Sequence, residues 1–490
     1  MPKLNILYLH SHDTGRYIQP YGYAVETPNL QRFAEQGVLF RNAFCAGPTC
    51  SPSRAALLTG QYPHQNGMTA LAHHGGRLKD PSRHLAHYLK RQGYATALSG
   101  TQHVTDGSVE AVQAVGYERF LTREVWPSWA KDFESWNQWH AQAVIDYLLK
   151  ADKDRPFFLD CGFDLTHRMG KGEQWHTTRD APEGDARYVR PPAPLPDTPE
   201  TRRDFADFRV AARLLDECHG RVLAALEQAG LAENTVVVIT TDHGLAYPLM
   251  KCNLTAHGTG VLLLMRGPKY GGRYVARRMP GDVAPGVPGD VGAEPESSGM
   301  SGGKVIDSLV SHVDVFPTLC EVAGLPRPAG LVGESLMPLV DGRATRVRDA
   351  VFAEVNWHAA PEPMRSVRTD RYNYIRRFAP HSGPVLPNCD DSVSKTFLRN
   401  AGWDSRAQVA EELYDLIFDP NEACNRAGDP HYAAALKEMR ERLQTWMVKT
   451  TDPLLTGRVE PWPGARITRV TDESPQGEWG PAEAIVTGAL

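Results

Sequence analysis

The chain has 490 residues, enough to bury a large core, and its 41% hydrophobic and 23% charged content is ordinary for a globular protein. A net charge of -5 gives no support for nucleic-acid binding, and no apolar run approaches the ~20 residues that would cross a bilayer. Eight scattered cysteines, at 45, 50, 161, 218, 252, 320, 389 and 424, form no C-x-x-C pair. The first residues lack the pattern of a secretory leader, so we expect a soluble, cytoplasmic protein with reduced thiols.

Residues 4–9 form an apolar run that predicts a buried parallel strand. It ends at His10-Ser11-His12-Asp13-Thr14-Gly15. Ligands gather at the carboxyl ends of strands in open α/β sheets, which places Asp13 where a metal ligand belongs. Asp-Thr-Gly also reads as a plain turn. A short helix is predicted after Thr27-Pro28-Asn29-Leu30, then a strand over 37–44.

Cys50-Ser51-Pro52-Ser53-Arg54 through Gly60 has the start and stop of a helix, with Ser51 as the N-cap, Pro52 at the first turn and Gly60 at the exit. Cys50 would then stand at the helix N-terminus, where an anion is favoured, with Arg54 one turn on. A lone Cys before a capped helix is equally an inert small residue. A helix over 82–92 leads to a strand over 94–98 and then to Ser99-Gly100-Thr101-Gln102-His103. Eight of the 18 histidines fall before residue 104, at positions 10, 12, 64, 73, 74, 84, 87 and 103.

Residues 155–163 predict another buried strand, ending at Asp164-Leu165-Thr166-His167. The Pro- and charge-rich stretch 170–198 reads as a loop, followed by a long helix over about 200–229. Thr235–Thr241 is the clearest buried strand, and Asp242-His243-Gly244 follows it directly. An Asp–His pair there offers one hard oxygen and one borderline nitrogen to a metal, or simply makes a turn. Lys251 lies nine residues on, before a strand over 260–267. Residues 270–303 carry no apolar periodicity and read as a surface insertion. The run Ser311-His312-Val313-Asp314 is rejected as a catalytic triad, because triad members rarely lie so close in sequence. Beyond about 346, short strands over 350–356, 364–368 and 372–377 and a helix over 431–448 suggest a small α+β unit. Trp357 and His358 close one of these strands and are read as reaching the substrate pocket.

The Cys-x-Pro-x-Arg spacing at Cys50, Pro52 and Arg54, followed by Leu57-Leu58-Thr59-Gly60, resembles the type I sulfatase signature. The run from Thr27-Pro28-Asn29-Leu30 through Phe44, Gly100 with His103, and Asp242-His243-Gly244 are similar to the same family. The resemblance implies an alkaline-phosphatase-like α/β fold, with a large, mostly parallel mixed sheet between helices. It places a catalytic domain at 1–345 and a C-terminal α+β subdomain at 346–490. It implies that Cys50 is oxidised to formylglycine by a formylglycine-generating enzyme. The implied metal ligands are Asp13, Cys50, Asp242 and His243. The implied catalytic residues are Cys50, Arg54, His103, His167 and Lys251, with His167 protonating the leaving group. Thr101, His12 and His358 fall on the substrate side. The family's usual ion is Ca2+, while the imidazoles of His12 and His243 favour Mn2+ or Zn2+ as alternatives.

The chain also departs from the family pattern. His12 stands where the family has a second Asp, and Thr101 where it has Lys. The threonine is similar to the related phosphonate monoester hydrolases. Two activities are therefore expected on this scaffold: hydrolysis of sulfate esters or N-sulfated sugars, or hydrolysis of phosphonate monoesters and phosphodiesters. A non-catalytic binding protein is the third reading, disfavoured because so many reactive residues converge. No nucleic-acid or membrane partner is expected.

Overall fold

In the computed structural model, residues 3–122, 133–169, 174–175, 184–268, 303–477 and 480–481 are described. Most of the expected insertion over 270–303, and residues 170–173 and 176–183 of the expected loop over 170–198, lie outside them. The central sheet is built on β1 (Asn5–Ser11), which is buried along its whole length. Leu7 and Leu9 enter one core while Ile6 and Tyr8 enter the other. Burial on both faces explains why this strand reads as a continuous apolar run.

The other strands of this sheet are β2 (Val38–Phe40), β3 (Ala95–Gly100), β4 (Arg119–Phe120), β5 (Phe157–Gly162), β6 (Thr235–Thr241), β7 (Leu263–Arg266) and β8 (Lys304–Ile306). Their order is β8-β2-β7-β6-β1-β5-β3-β4. Only β7 runs against its neighbours β6 and β2; every other pairing is parallel. The register aligns four carboxyl ends, since Ser11 pairs with Thr241, His10 with Gly162, and Gly100 with Gly162. The loops that follow β1, β3, β5 and β6 therefore leave from one edge.

Helices cover both faces. On one side lie α1 (Pro28–Gln36), α3 (Phe133–Leu149) and α4 (Pro199–Gln228), packed through Phe33, Val144, Phe208 and Leu215. On the other lie α2 (Cys50–Thr59) and α5 (Val315–Ala323), packed through Leu57, Leu58, Phe316 and Leu319. This is the expected layered α/β architecture.

Two boundaries differ from expectation. Helix α2 begins at Cys50 itself, with Thr49 as N-cap, because the Ser51 hydroxyl is occupied elsewhere: it accepts from the Ala72 amide at 2.9 Å. Gly60 ends the helix in the left-handed region, as expected. The expected helix over 82–92 is split at His84, whose ring caps a helix over Leu85–Arg91 after a short 3-10 turn.

The C-terminal portion holds an antiparallel sheet ordered β9 (Val351–Trp357), β10 (Pro361–Arg368), β11 (Tyr372–Arg377) and β12 (Glu411–Asp415). Its fourth strand went unread because its sequence, Glu-Glu-Leu-Tyr-Asp, is acidic and short. Helix α6 (Ala433–Thr450) covers one face, where Val367, Tyr374 and Leu413 meet Leu436, Met439, Leu443 and Trp446. The same core takes in Ala56 of α2 and Tyr62 just beyond it. The junction is reinforced by a buried contact of His64 with Glu354, and within the C-terminal portion Arg365 holds Asp452 through a fork at 2.5 and 3.0 Å. The opposite face of the sheet meets Leu254 through Ala353, Val355, Met364 and Ile375, close to the segment that carries Lys251.

Candidate active site

Asp13 stands two residues beyond the end of β1 and takes a left-handed conformation with φ 52°. Its amide donates to Asp242 Oδ1 at 2.8 Å, which ties the ends of β1 and β6 together. His103, after β3, is also left-handed, with φ 53°. Non-glycine residues in this region cost about 1–3 kcal/mol and tend to mark functional sites.

The two carboxylates are the centre of the cluster. Asp13 Oδ1 lies 3.3 Å from His243 Nε2 and 3.4 Å from His12 Nδ1. Asp242 Oδ2 lies 3.1 Å from His12 Nδ1 and 3.6 Å from His243 Nε2. Cys50 Sγ, at the start of α2, is 3.4 Å from His243 Nε2. Asp13, Cys50, Asp242 and His243 are all buried and could share one ion, and His12 and His167 join Asp13 and Cys50 in an overlapping group. Six of the sequence-predicted residues thus fall in these two overlapping groups. Burial alone would raise the Asp13 carboxyl, but Lys251, His167 and His243 hold it well below the usual range. Burial draws His12 down to about 4, leaving a neutral ring.

Positive charge flanks the centre. Arg54 Nη2 donates to Asp242 Oδ2 and to the Ser11 carbonyl, both at 3.0 Å. Its other end meets His10, which in turn contacts Asp160 at 2.8 Å. Arg54 Nε is buried with no hydrogen-bond partner, a donor open to an anion. Lys251 Nζ bridges Asp13 Oδ2 at 3.0 Å and Asp390 Oδ2 at 3.1 Å. These two carboxylates hold the lysine charged against the cost of its burial.

Burial pushes the Cys50 thiol well above its usual range, Lys251 opposes this, and Asp13 and Asp242 add to it. A protonated, buried thiol is a poor nucleophile. The donor set suits a divalent cation.

The remaining predicted residues sit around this centre in different ways. His167 Nε2 is 3.8 Å from Asp13 Oδ2, and its ring stands edge-on to His12 at 4.8 Å. His103 lies 5.6 Å from the His12 ring and stacks on His73, with Nε2 to Nδ1 at 3.0 Å. His358 is buried beside Lys251 and Asp390, and its ring is held neutral by burial and by Lys251. Thr101 is turned aside: its hydroxyl donates to Asp164 Oδ1 at 2.6 Å, and Trp136 holds the other oxygen at 2.8 Å. The run Ser311–Asp314 makes no triad. His312 faces Thr240 and Ser53 behind the site, while Asp314 holds Arg348.

Against this geometry, a sulfatase family model matches residues 5–325, and a model described as N-sulphoglucosamine sulphohydrolase, C-terminal, matches residues 297–383. The chain belongs to the sulfatase family. It is thereby a sulfuric ester hydrolase, as the signature at Cys50 led us to expect. The sulfatase is 29% identical to human N-sulphoglucosamine sulphohydrolase over 495 positions, covering 92% of this chain and 91% of the relative. Among solved structures it shares the fold of a 2-O GAG sulfatase, with TM-score 0.67 and 20% identity over 99% of this chain and 100% of the other. It also shares the fold of the phosphonate monoester hydrolase of Agrobacterium radiobacter, with TM-score 0.64 and 20% identity over 94% and 100%.

Sequence reasoning missed Asp390, the sulfatase's second carboxylate on Lys251. It lies just ahead of a helix capped by Ser392, where an Asp-Asp pair reads as helix-start chemistry. Lys251 draws the buried Asp390 carboxyl down to about 2 despite its burial. Replacing Asp390 with Ala is expected to free Lys251 to rest on Asp13 alone. Turnover should then fall by roughly 10–100-fold at unchanged metal content, as for loss of an outer-shell partner. Steady-state kinetics with elemental analysis of the same sample checks this.

Proposed function

We propose that this sulfatase is a metal- and formylglycine-dependent hydrolase of sulfated saccharides, acting on an N-sulfated or O-sulfated sugar. The observation that carries this reading is the position of Cys50, buried at the N-terminus of α2 with Asp13, Asp242 and His243 on one side and Arg54 one turn behind. A divalent metal together with an aldehyde derived from Cys50 would supply an acidified hydrate, whose second hydroxyl allows sulfate to be released. Ca2+ is the ion that the family resemblance implies.

The chain's own residues supply the rest. Arg54 and Lys251 neutralise charge on the transferred sulfuryl group. His167, partly exposed at the mouth, delivers a proton to the leaving oxygen or nitrogen. His103, backed by His73, accepts the proton when sulfate leaves. The 29% identity to a relative named N-sulphoglucosamine sulphohydrolase supports an amino-sugar N-sulfate as substrate. We also propose that residues 346–490 complete the pocket carried by residues 1–345, through His358 and Asp390, and that maturation requires a formylglycine-generating enzyme.

Thr101 favours a second reading, hydrolysis of phosphonate monoesters, because its hydroxyl on Asp164 leaves no lysine at that point of the pocket. Rates on glucosamine N-sulfate, an aryl sulfate and a phenyl phosphonate ester separate the two. We expect a sulfated substrate to be fastest, and a faster phosphonate would overturn the sulfated-saccharide assignment.

A further inference from the structure

We propose that His10 is a positioning residue for the reaction, holding the Arg54 guanidinium in its anion-binding orientation through a hydrogen-bonded chain anchored at Asp160 and Tyr117. The inference rests on the reading of Arg54 as a group that neutralises the transferred sulfuryl charge, and it names what keeps Arg54 there.

The chain begins with polar residues in an unlikely place. His10 lies in β1 and Asp160 in β5, neighbouring strands buried along their whole lengths. A buried polar pair adds little to stability over apolar side chains of similar volume, and losing one partner is costly. Stability alone therefore gives no reason for the pair, but its connection to Arg54 does.

Donor chemistry fixes each step. A guanidinium only donates, so His10 Nδ1, which meets Arg54 Nη1, must accept. The ring proton is then on Nε2, which donates to Asp160 Oδ1 at 2.8 Å. Asp160 Oδ2 accepts from the Tyr117 hydroxyl. Tyr117 stacks on Phe158 at 6.2 Å and meets the His84 ring edge-on at 5.6 Å, so the chain ends in the hydrophobic core. It is thus an anchor and not a path for protons to solvent. Tyr8 stacks on the His10 ring at 4.7 Å, and Gly162, level with His10 in the register, leaves the ring its space: a Cβ there would come within 2.5 Å of it.

The other terminal nitrogen of Arg54, Nη2, is held by Asp242 and the Ser11 carbonyl. Held there alone, the guanidinium could pivot. His10 on Nη1 is the second point that stops it turning, which leaves the buried, unpartnered Nε facing one way, available to an anion.

The test uses full-length protein, with rates normalised to the fraction of Cys50 converted. His10→Leu removes the acceptor. His10→Asn restores one, since its Oδ1 stands the same number of bonds from Cβ as histidine Nδ1. The triple variant His10→Leu/Asp160→Leu/Tyr117→Phe removes the whole polar chain, so Asp160 is not left as an uncompensated buried charge if His10→Leu alone fails to fold. Steady-state kinetics on the fastest of the three substrates named above, and urea unfolding, are measured on each. We expect kcat to fall about 10–100-fold in His10→Leu and in the triple variant with KM little changed, and to recover in large part in His10→Asn. The triple variant should unfold near the wild-type urea concentration. In an Arg54→Lys background, whose ammonium has no plane to orient, the triple substitution should have little further effect on kcat. A folded triple variant with wild-type kcat overturns the inference. So does one that lowers kcat equally with Arg54 and with Lys at position 54, the mark of a merely structural role. Full turnover in Arg54→Ala overturns instead the role given to Arg54.

Discussion

Cys50→Ala is expected to reduce turnover by roughly 10⁴-fold or more while leaving the fold in place. The side chain is small and 2% exposed, so alanine leaves only a thiol-sized gap at the first turn of α2. The loss would therefore report chemistry rather than collapse. Peptide mass spectrometry of wild-type protein, produced beside the maturation enzyme, should find Cys50 converted to the aldehyde. Serine at this position is the sharper control. It supplies one oxygen nucleophile but no second hydroxyl to expel sulfate, so Cys50→Ser should stop after a single turnover. Full activity with an intact thiol would sink the mechanism.

Asp242→Ala is expected to remove both the metal and part of the stability. One carboxylate serves four partners. Oδ1 accepts from the amides of Asp13 and His243 at 2.8 and 2.9 Å, and Oδ2 meets Arg54 at 3.0 Å and His12 at 3.1 Å. Its deletion leaves the Arg54 guanidinium buried without its counter-charge, which costs about 3–5 kcal/mol. The variant should unfold at a lower denaturant concentration and purify without bound metal. Asp242→Asn keeps an oxygen acceptor and the local shape, so it should lie closer to wild type in stability but remain poor in metal. Stoichiometric metal in the alanine variant would refute the assignment of this centre.

The sheet and most of the site were legible because they depend on local signals. Strands β1 and β6 are apolar on both faces, and the residues that follow them must stand at their carboxyl ends. Asp13, Asp242 and His243 were found in that way, and Cys50 by its place in a motif. Asp390 was invisible because its partner Lys251 is met only through tertiary packing of β9 to β12 beneath the 251–254 segment. The orientation of Thr101 was equally hidden, since it depends on Asp164 and Trp136 arriving from separate elements. The start of α2 lies two residues earlier than expected because Ser51 has the right chemistry for a cap but a stronger claim from the Ala72 amide.

The core that joins α2 to the C-terminal sheet has a consequence for how the chain is made. Ala56 and Tyr62, behind the nucleophile, are covered by Leu413, Leu436 and Trp446, with the Tyr62 and Trp446 rings 4.9 Å apart. These covering residues are synthesised after more than four-fifths of the chain has left the ribosome. Until then the back of the Cys50 helix lacks this cover. A nascent chain of this protein thus carries its reactive segment early and completes the pocket around it almost last, so shortening the C-terminus would unmake the centre from behind without touching any residue before 400.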